Sequence, residues 1–147
     1  MKNNSALFYT CSLIEFIGRA QKQKRSAVVE LLGRDTILRI YQFADVFHCE
    51  PIEKTADFIT LRQIPQGSFD NVAACRYTVP DYWTIGEVYE RLIEDVVQRD
   101  DDQAVVDKLV EVFTSWIDGA ISNFNSDFYY QSRDYIAACY REGEICD

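Results

Sequence analysis

The clearest indication of fold class in the chain comes from residues 84–96, TIGEVYERLIEDV. Its apolar side chains recur at intervals of three and four, with charged side chains between them, which is the pattern of an α-helix with one buried face. Thr84 and Glu87 have the spacing of a capping box, so we expect the helix to begin there. The apolar stripe of this predicted helix consists of Ile85, Val88, Tyr89, Leu92 and Val96.

Helical spacing continues on both sides of this stretch. Residues 5–20 are apolar on most of the helix circumference, which is typical of a helix buried in a core or against a partner. Further helices are predicted over residues 26–32, over residues 35–47 and after Pro51, where Phe58 and Ile59 are expected to face inward. A five-turn helix is predicted over residues 103–124, with a second capping box at Asp100 and Gln103, and a last helix from Ser126 or Asp127 to Gly143. We therefore predict an all-α bundle of six to seven helices.

The regular spacing fails in one long segment, residues 65–80. It contains one plausible short strand, residues 75–79, and otherwise indicates an irregular connection. Irregular segments of this length are often binding segments, although a plain linker between helices fits the pattern equally well. We predict one helical domain over residues 1–147, with sequential halves of about 1–64 and 81–147 joined by this segment.

The charge of the chain is −9 and is unevenly distributed. Residues 1–45 carry seven Lys and Arg against four Asp and Glu, whereas the remainder is strongly acidic. Because nucleic-acid affinity comes mainly from cations that displace phosphate counterions, general nucleic-acid binding is disfavoured. A helix-turn-helix regulator remains an alternative, with nucleic-acid contacts from Lys22, Lys24, Arg25 and Arg39.

The five cysteines form an odd set without paired spacing, so reduced thiols are predicted, as in a cytoplasmic protein. No apolar run reaches the ~18 residues of a membrane-spanning helix, and no membrane association is expected. The single histidine, His48, excludes most catalytic triads and zinc clusters, so no metal site and no cofactor are predicted.

Two kinds of residue remain as candidates for catalysis. Cys75 lies beside Arg76, whose charge favours the thiolate, and a small enzyme using Cys75 is therefore a further alternative. Asp107, Glu111 and Asp118 align on one side of the predicted five-turn helix, away from its apolar stripe. A solvated acidic face is the simplest interpretation of these three carboxylates.

Aromatic residues give the strongest indication of function. Those in residues 65–83 and at residues 128–130 exceed what the apolar stripes require, and aromatics with polar tips are enriched at protein interfaces. We predict a non-enzymatic interaction or regulatory protein whose partner is another protein or a second copy of this chain. Ordinary packing under a loop would explain the same aromatics. The predicted partner-binding residues are Arg76, Tyr77, Tyr82, Trp83, Phe128, Tyr129 and Tyr130.

Three segments carry a resemblance to a known family. They are FYTCSLIEFIG at residues 8–18, CRYTVP at residues 75–80 and IGEVYERLIEDV at residues 85–96. In these segments the chain resembles a family of small uncharacterised proteins of gut-type anaerobic bacteria, whose members look like those encoded beside proteins with an ADP-ribosyltransferase-like domain. The resemblance covers residues 1 to about 98. It implies a partner, regulator or antitoxin-like role and identifies no catalytic residues.

Overall fold

The computed structural model describes residues 4–146, with the backbone alone for residues 60–63, and this part of the chain is all-helical. The predicted fold class is confirmed, but the described residues form ten α-helices and not six or seven, because residues 44–47 and 71–74 form separate helices of four residues and the predicted five-turn helix is divided. The helices are α1 (Ser5–Gln21), α2 (Arg25–Leu32), α3 (Arg34–Gln42), α4 (Ala44–Phe47), α5 (Ile52–Gln63), α6 (Asn71–Ala74), α7 (Tyr82–Val96), α8 (Asp102–Phe113), α9 (Ile117–Ser122) and α10 (Arg133–Glu142).

The core is organised around α1 and α7, which pack against each other along their length. As the apolar circumference of residues 5–20 predicts, α1 is buried on nearly all sides and also contacts α2, α3, α4 and α5. The two helix axes approach closely at Gly86, because a Cβ atom there would lie 1.9 Å from Oγ of Ser12. Glycine at this position therefore sets how closely α7 approaches α1.

Helix starts differ from the predicted capping boxes by one to three residues. Oδ1 of Asp81 accepts a hydrogen bond from the backbone N–H of Thr84 at 2.7 Å, so Asp81 and not Thr84 is the N-cap of α7. In the same way Asp101, and not Asp100, accepts from the N–H of Ala104 and caps α8. At the starts of α7 and α8, a side-chain oxygen accepts a hydrogen bond from an otherwise free N–H, as the sequence predicts. The capping residue, however, lies one to three positions away from the predicted one.

The predicted five-turn helix over residues 103–124 is interrupted at residues 114–116. The hydroxyls of Thr114 and Ser115 donate to the backbone oxygens of Val110 and Val112, each at 2.7 Å. Such bonds from side chain to backbone compete with continued helical pairing, and α8 ends there. The last helix is also shorter than predicted: its N-cap is Ser132, and a 3₁₀ turn, Phe128–Tyr130, precedes it.

The irregular segment is ordered by contacts to the end of α1. The backbone N–H groups of Gly67 and Phe69 donate to the carbonyl oxygens of Gln21 and Lys22, each at 2.8 Å. Lys22 adopts the left-handed conformation (φ 53°), which ends α1 and turns its carbonyl group toward the segment. These bonds satisfy carbonyl groups that the end of a helix otherwise leaves free.

The predicted strand at residues 75–79 is wrong, since the structure has no strand in residues 4–146. The backbone groups that would pair in a sheet are bonded to a side chain: Nδ2 of Asn125 donates to the oxygen of Ala74, and the N–H of Arg76 donates to Oδ1 of Asn125. The segment is therefore fixed without a neighbouring strand. Within the described part of the chain, no helix has both the length and the apolarity to cross a membrane.

Candidate functional site

The predicted partner-binding residues divide into packed and exposed side chains. Phe128 belongs to the buried core, which contradicts its predicted contact with a partner. Tyr82 and Trp83 are half-buried, because Tyr82 packs on Phe16 with ring centroids 5.0 Å apart and Trp83 packs on Phe8 at 5.4 Å. The aromatic side chains in the first turn of α7 therefore pack largely against α1.

Of the other predicted residues, Arg76, Tyr77 and Tyr130 are exposed and Tyr129 is half-buried. Tyr77 is 66% exposed and Tyr130 is 82% exposed. Asn125 bonds the backbone on both sides of Cys75, while Phe124 packs edge-on against Tyr129 at 5.7 Å. The loop after α9 therefore brings the irregular segment and the 3₁₀ turn, far apart in sequence, to one side of the molecule.

An open groove of about 550 Å³ lies next to the irregular segment, and we call it the aromatic groove. Tyr129 and Tyr130 line a different cavity, of about 220 Å³. One wall of the aromatic groove comes from residues 69–74 and the other from residues 114–125, with Lys24 and Ser26 at one end. Trp116, 37% exposed, lies on the second wall. Trp116 lies inside the predicted five-turn helix and was not among the predicted partner-binding residues. The hydroxyl pair at residues 114 and 115 was the signal that could have located the break.

A buried ion network forms the floor of the aromatic groove. Arg25, 3% exposed, donates from Nε to Oδ1 of Asp118 at 2.7 Å, from Nη1 to Glu15, and from Nη2 to Oγ of Ser122 at 2.5 Å. Tyr89 donates its hydroxyl to the same oxygen of Asp118 at 2.5 Å, and burial raises the pKa of Tyr89, which keeps the phenol protonated as a donor. The network joins α1, α2, α7 and α9 and fixes the second wall.

Asp118 contradicts the predicted solvated acidic face. It is buried and paired with Arg25, whereas Asp107 pairs with Arg34 at the surface and Glu111 lies 2.8 Å from Nζ of Lys108. Asp118 still lines the aromatic groove, and only its Oδ1 atom has partners in the described residues. The second carboxylate oxygen is therefore available as an acceptor at the groove floor.

The predicted nucleic-acid residues do not form a continuous cationic surface. Arg25 is enclosed by its carboxylate partners, so its guanidinium cannot reach a phosphate without breaking the network. Lys22 pairs with Asp70 at 3.3 Å, and Nζ of Lys24 lies 5.8 Å from the ring centroid of Phe69. Arg39 is exposed. The burial of Arg25 removes the central cation of the predicted basic arm.

Cys75 has backbone neighbours and no general base among its described hydrogen-bond partners. Its sulfhydryl group points toward the carbonyl oxygens of Tyr77 at 3.4 Å and Phe124 at 3.9 Å. His48 instead packs its ring against Tyr9 at 4.9 Å and Trp83 at 6.0 Å. In residues 4–146, no group of three His, Cys, Asp or Glu side chains is placed to hold a metal ion.

A second titratable cluster lies on α7, away from the aromatic groove. Glu90 and Glu94 are buried one helical turn apart. The pKa of Glu90 is raised to about 7, first by burial and second by the nearby Glu94 carboxylate. Glu94 accepts from the backbone N–H of Asn4 at 3.0 Å and lies 3.6 Å from Arg133. The pair is held between α1 and α10, and it lies beside cavities of about 350 and 450 Å³.

Comparisons with protein families, with curated proteins and with solved structures find no significant match to this chain.

Proposed function

We propose that this helical domain is a non-enzymatic protein-binding protein and that its partner docks in the aromatic groove. The observation that carries the proposal is the accessible Trp116 on one wall of the groove, together with the exposed Arg76, whose backbone N–H bonds to Asn125 in the groove lining. Tyr, Trp and Arg are the residues that most often dominate interface energies. A groove with an accessible tryptophan in its lining is suited to one or two anchoring side chains of another protein.

The groove is supported in a preformed shape. Asn125 fixes the irregular segment through its bonds to Ala74 and Arg76, and Asn71 donates to the oxygen of Ser122 at 2.9 Å across the two walls. The ion network holds the opposite wall from below. A preorganised surface loses little conformational entropy on binding, so more of the contact energy contributes to affinity.

Charge indicates the chemistry of the partner. Lys24 and Arg76, at and beside the groove, have no acidic partner in the part of the chain that the structure describes, although the chain as a whole carries a charge of −9. We propose a partner segment with an apolar or aromatic anchor next to a carboxylate. Two copies of this groove facing each other would place like charges together, which disfavours a symmetric homodimer through it.

The resemblance to proteins encoded beside ADP-ribosyltransferase-like proteins supports a bacterial toxin of that class as the partner. In this role the domain would act as an antitoxin-like protein that covers a surface of the toxin. The proposal requires only binding, and it assigns no catalytic role to Cys75.

The experiment compares capture by the tagged chain with capture by Arg76→Glu and Trp116→Ala, using Phe43→Ala as the matched control. Phe43 is 54% exposed and lies between α3 and α4, outside the groove lining. We expect a stoichiometric protein with the original chain and with Phe43→Ala, and its loss with the two groove variants. Circular dichroism establishes that each variant keeps its helical content.

Isothermal titration calorimetry then measures the affinity of each variant for the purified protein encoded by the neighbouring gene. Arg76→Glu should weaken binding at least about 30-fold, which corresponds to about 2 kcal/mol at an interface hot spot. Equal affinity of both groove variants and the original chain would exclude the groove as the binding surface. A self-association that Trp116→Ala abolishes would identify a second copy as the occupant and overturn the heterologous partner.

A further inference from the structure

The end of the described chain folds back onto the last helix. Gly143 (φ 82°) terminates α10 with its N–H donating to the oxygen of Cys139 at 2.9 Å, and the following residues return along the helix. Cys146 is held at both of its backbone polar groups. Its N–H donates to Sγ of Cys139 at 3.2 Å, and its carbonyl oxygen accepts from the hydroxyl of Tyr135 at 2.5 Å.

This return places two thiols next to each other. Cys139 is fully buried and Cys146 is half-buried, so solvent reaches one of them only. The pKa of the Cys146 thiol is raised, chiefly by its hydrogen bond with the Cys139 side chain and then by burial. The sulfhydryl groups of Cys49 and Cys75 point instead to backbone carbonyl oxygens. Cys139 and Cys146 are thus distinguished from the other cysteines by having each other as sulfur neighbours.

We propose that Cys139 and Cys146 are a dithiol modification site that closes to an intramolecular disulfide by exchange with a low-molecular-weight disulfide of the glutathione type. The contact between Cys146 and the sulfur of Cys139 carries this proposal, because cross-linking two cysteines requires their side chains to be adjacent and suitably directed. The site is independent of the proposed partner binding and lies on a different helix from the groove walls.

The order of the steps follows from exposure. The Cys146 sulfur, as thiolate, attacks one sulfur of the small disulfide, whose other half leaves as a thiolate and takes up the proton that Cys146 released. The buried Cys139 then loses its proton and attacks the Cys146 sulfur, and the second half of the reagent leaves as a thiol. In total, two protein thiols are oxidised to one disulfide and one small disulfide is reduced to two thiols.

Proximity predicts which product accumulates. Once Cys146 carries the small thiol in a mixed disulfide, Cys139 attacks that disulfide at the high effective concentration of a neighbouring group. Free glutathione attacks the same disulfide at only millimolar concentration. The internal disulfide should therefore exceed the mixed disulfide at Cys146 by roughly tenfold or more. When Cys139 is replaced, the same chemistry should stop at the mixed disulfide.

The test equilibrates the reduced full-length chain in oxidised and reduced glutathione, followed by acid quenching, alkylation and mass spectrometry. We expect loss of two hydrogen atoms from the intact monomer and a peptide that links residues 139 and 146, with Cys49 outside the cross-link. Cys49→Ser serves as the matched control and should cross-link normally. Cys139→Ser should accumulate glutathione at Cys146, and Cys146→Ser should leave Cys139 as a buried free thiol.

Two results would overturn the proposal. One is a mixed disulfide at Cys146 that persists as the main product while Cys139 is present. The other is a Cys146 thiol that stays free under an excess of oxidised glutathione, in a sample where the same reagent modifies Cys49. Because Cys139 is buried, Cys139→Ser could also impair folding. The half-buried Cys146→Ser variant and the control keep the test decisive in that case.

Discussion

Replacement of Arg25 by methionine should strongly destabilise the fold. Methionine keeps much of the volume but leaves the carboxylates of Asp118 and Glu15 without their shared cation, and breaking a buried ion pair from one side costs about 3–5 kcal/mol. Glu15 retains Arg19, whose Nε lies 2.6 Å from it, so Asp118 is the carboxylate left without a cation. We therefore expect the lower part of this range, about 3 kcal/mol, and a fall in melting temperature of roughly 6–12 °C.

Urea unfolding monitored by circular dichroism measures this loss, with Lys54→Met as the control. Lys54 pairs with Glu50 at 3.2 Å, but both side chains are exposed, so the control should change stability by less than about 0.5 kcal/mol. Adding Asp118→Asn to Arg25→Met should recover at least about 1 kcal/mol, because it removes the uncompensated charge. If Arg25→Met costs no more than the control, or if the double variant is no more stable than Arg25→Met, the buried pairing of Arg25 with Asp118 does not stabilise the fold as described.

Three further substitutions test other parts of the fold, each by urea unfolding. Gly86→Ala should cost about 2–3 kcal/mol through overpacking of α1 against α7, whereas Gly119→Ala, with open space around it, should be neutral or gain up to about 1 kcal/mol; equal effects would contradict the close approach. Because the folded pKa of Glu90 is raised from 4.5 to about 7, its stabilising contribution is present below the unfolded pKa and is lost as pH rises through about 7. Glu90→Gln should accordingly remove a decline on the order of 2 kcal/mol between about pH 5 and about pH 8, and an unchanged pH profile would be inconsistent with this assignment. Asp81→Ala should reduce the free energy of unfolding by about 1 kcal/mol and Thr84→Ala by less than about half as much. A larger loss for Thr84→Ala than for Asp81→Ala would instead support the capping box predicted from the sequence.

The sequence predicted the helical class and most inward-facing residues because helical periodicity is a local property. Ile37, Ile40 and Ala44 are buried at the spacing that the apolar pattern indicates, and Gly143 ends the last helix as expected. Phe58 is an exception: it was expected to face inward but is largely exposed, while its neighbour Ile59 is buried. Adjacent residues lie about 100° apart around a helix, so a narrow buried face takes in only one of them, and the pattern did not decide between Phe58 and Ile59.

The largest errors arose where a local rule was extended across a break. The alignment of Asp118 with Asp107 assumed one continuous helix, but the interruption at Thr114 and Ser115 changes the direction of α9 relative to α8. Angular positions counted at 100° per residue therefore do not carry over from one helix to the next. This is why a carboxylate predicted to be solvated is buried against Arg25.

The candidate site was predicted in part. Tyr77 and Tyr130 are accessible, but the sequence could not show that Tyr130 lines a separate cavity, that Asn125 bonds to the backbone of Ala74 and Arg76, or that Trp116 lines the aromatic groove. Such contacts join residues roughly 40 to 50 positions apart, and a single sequence gives no measure of distance between them. Arg25 was assigned to a basic arm because its burial depends on Glu15 and Asp118, which approach it only in the folded chain.

The pairing of α1 with α7 affects how the protein is made. During translation, α1 leaves the ribosome before α7 has been synthesised, and the interval between the ends of the two helices lasts on the order of 4–15 s at about 5–20 residues per second. Throughout that interval the nascent chain contains an apolar helix, α1, whose main packing partner, α7, has not yet been synthesised. Holdase chaperones recognise such segments, and the earliest intermediates should therefore depend on them more than the finished domain does.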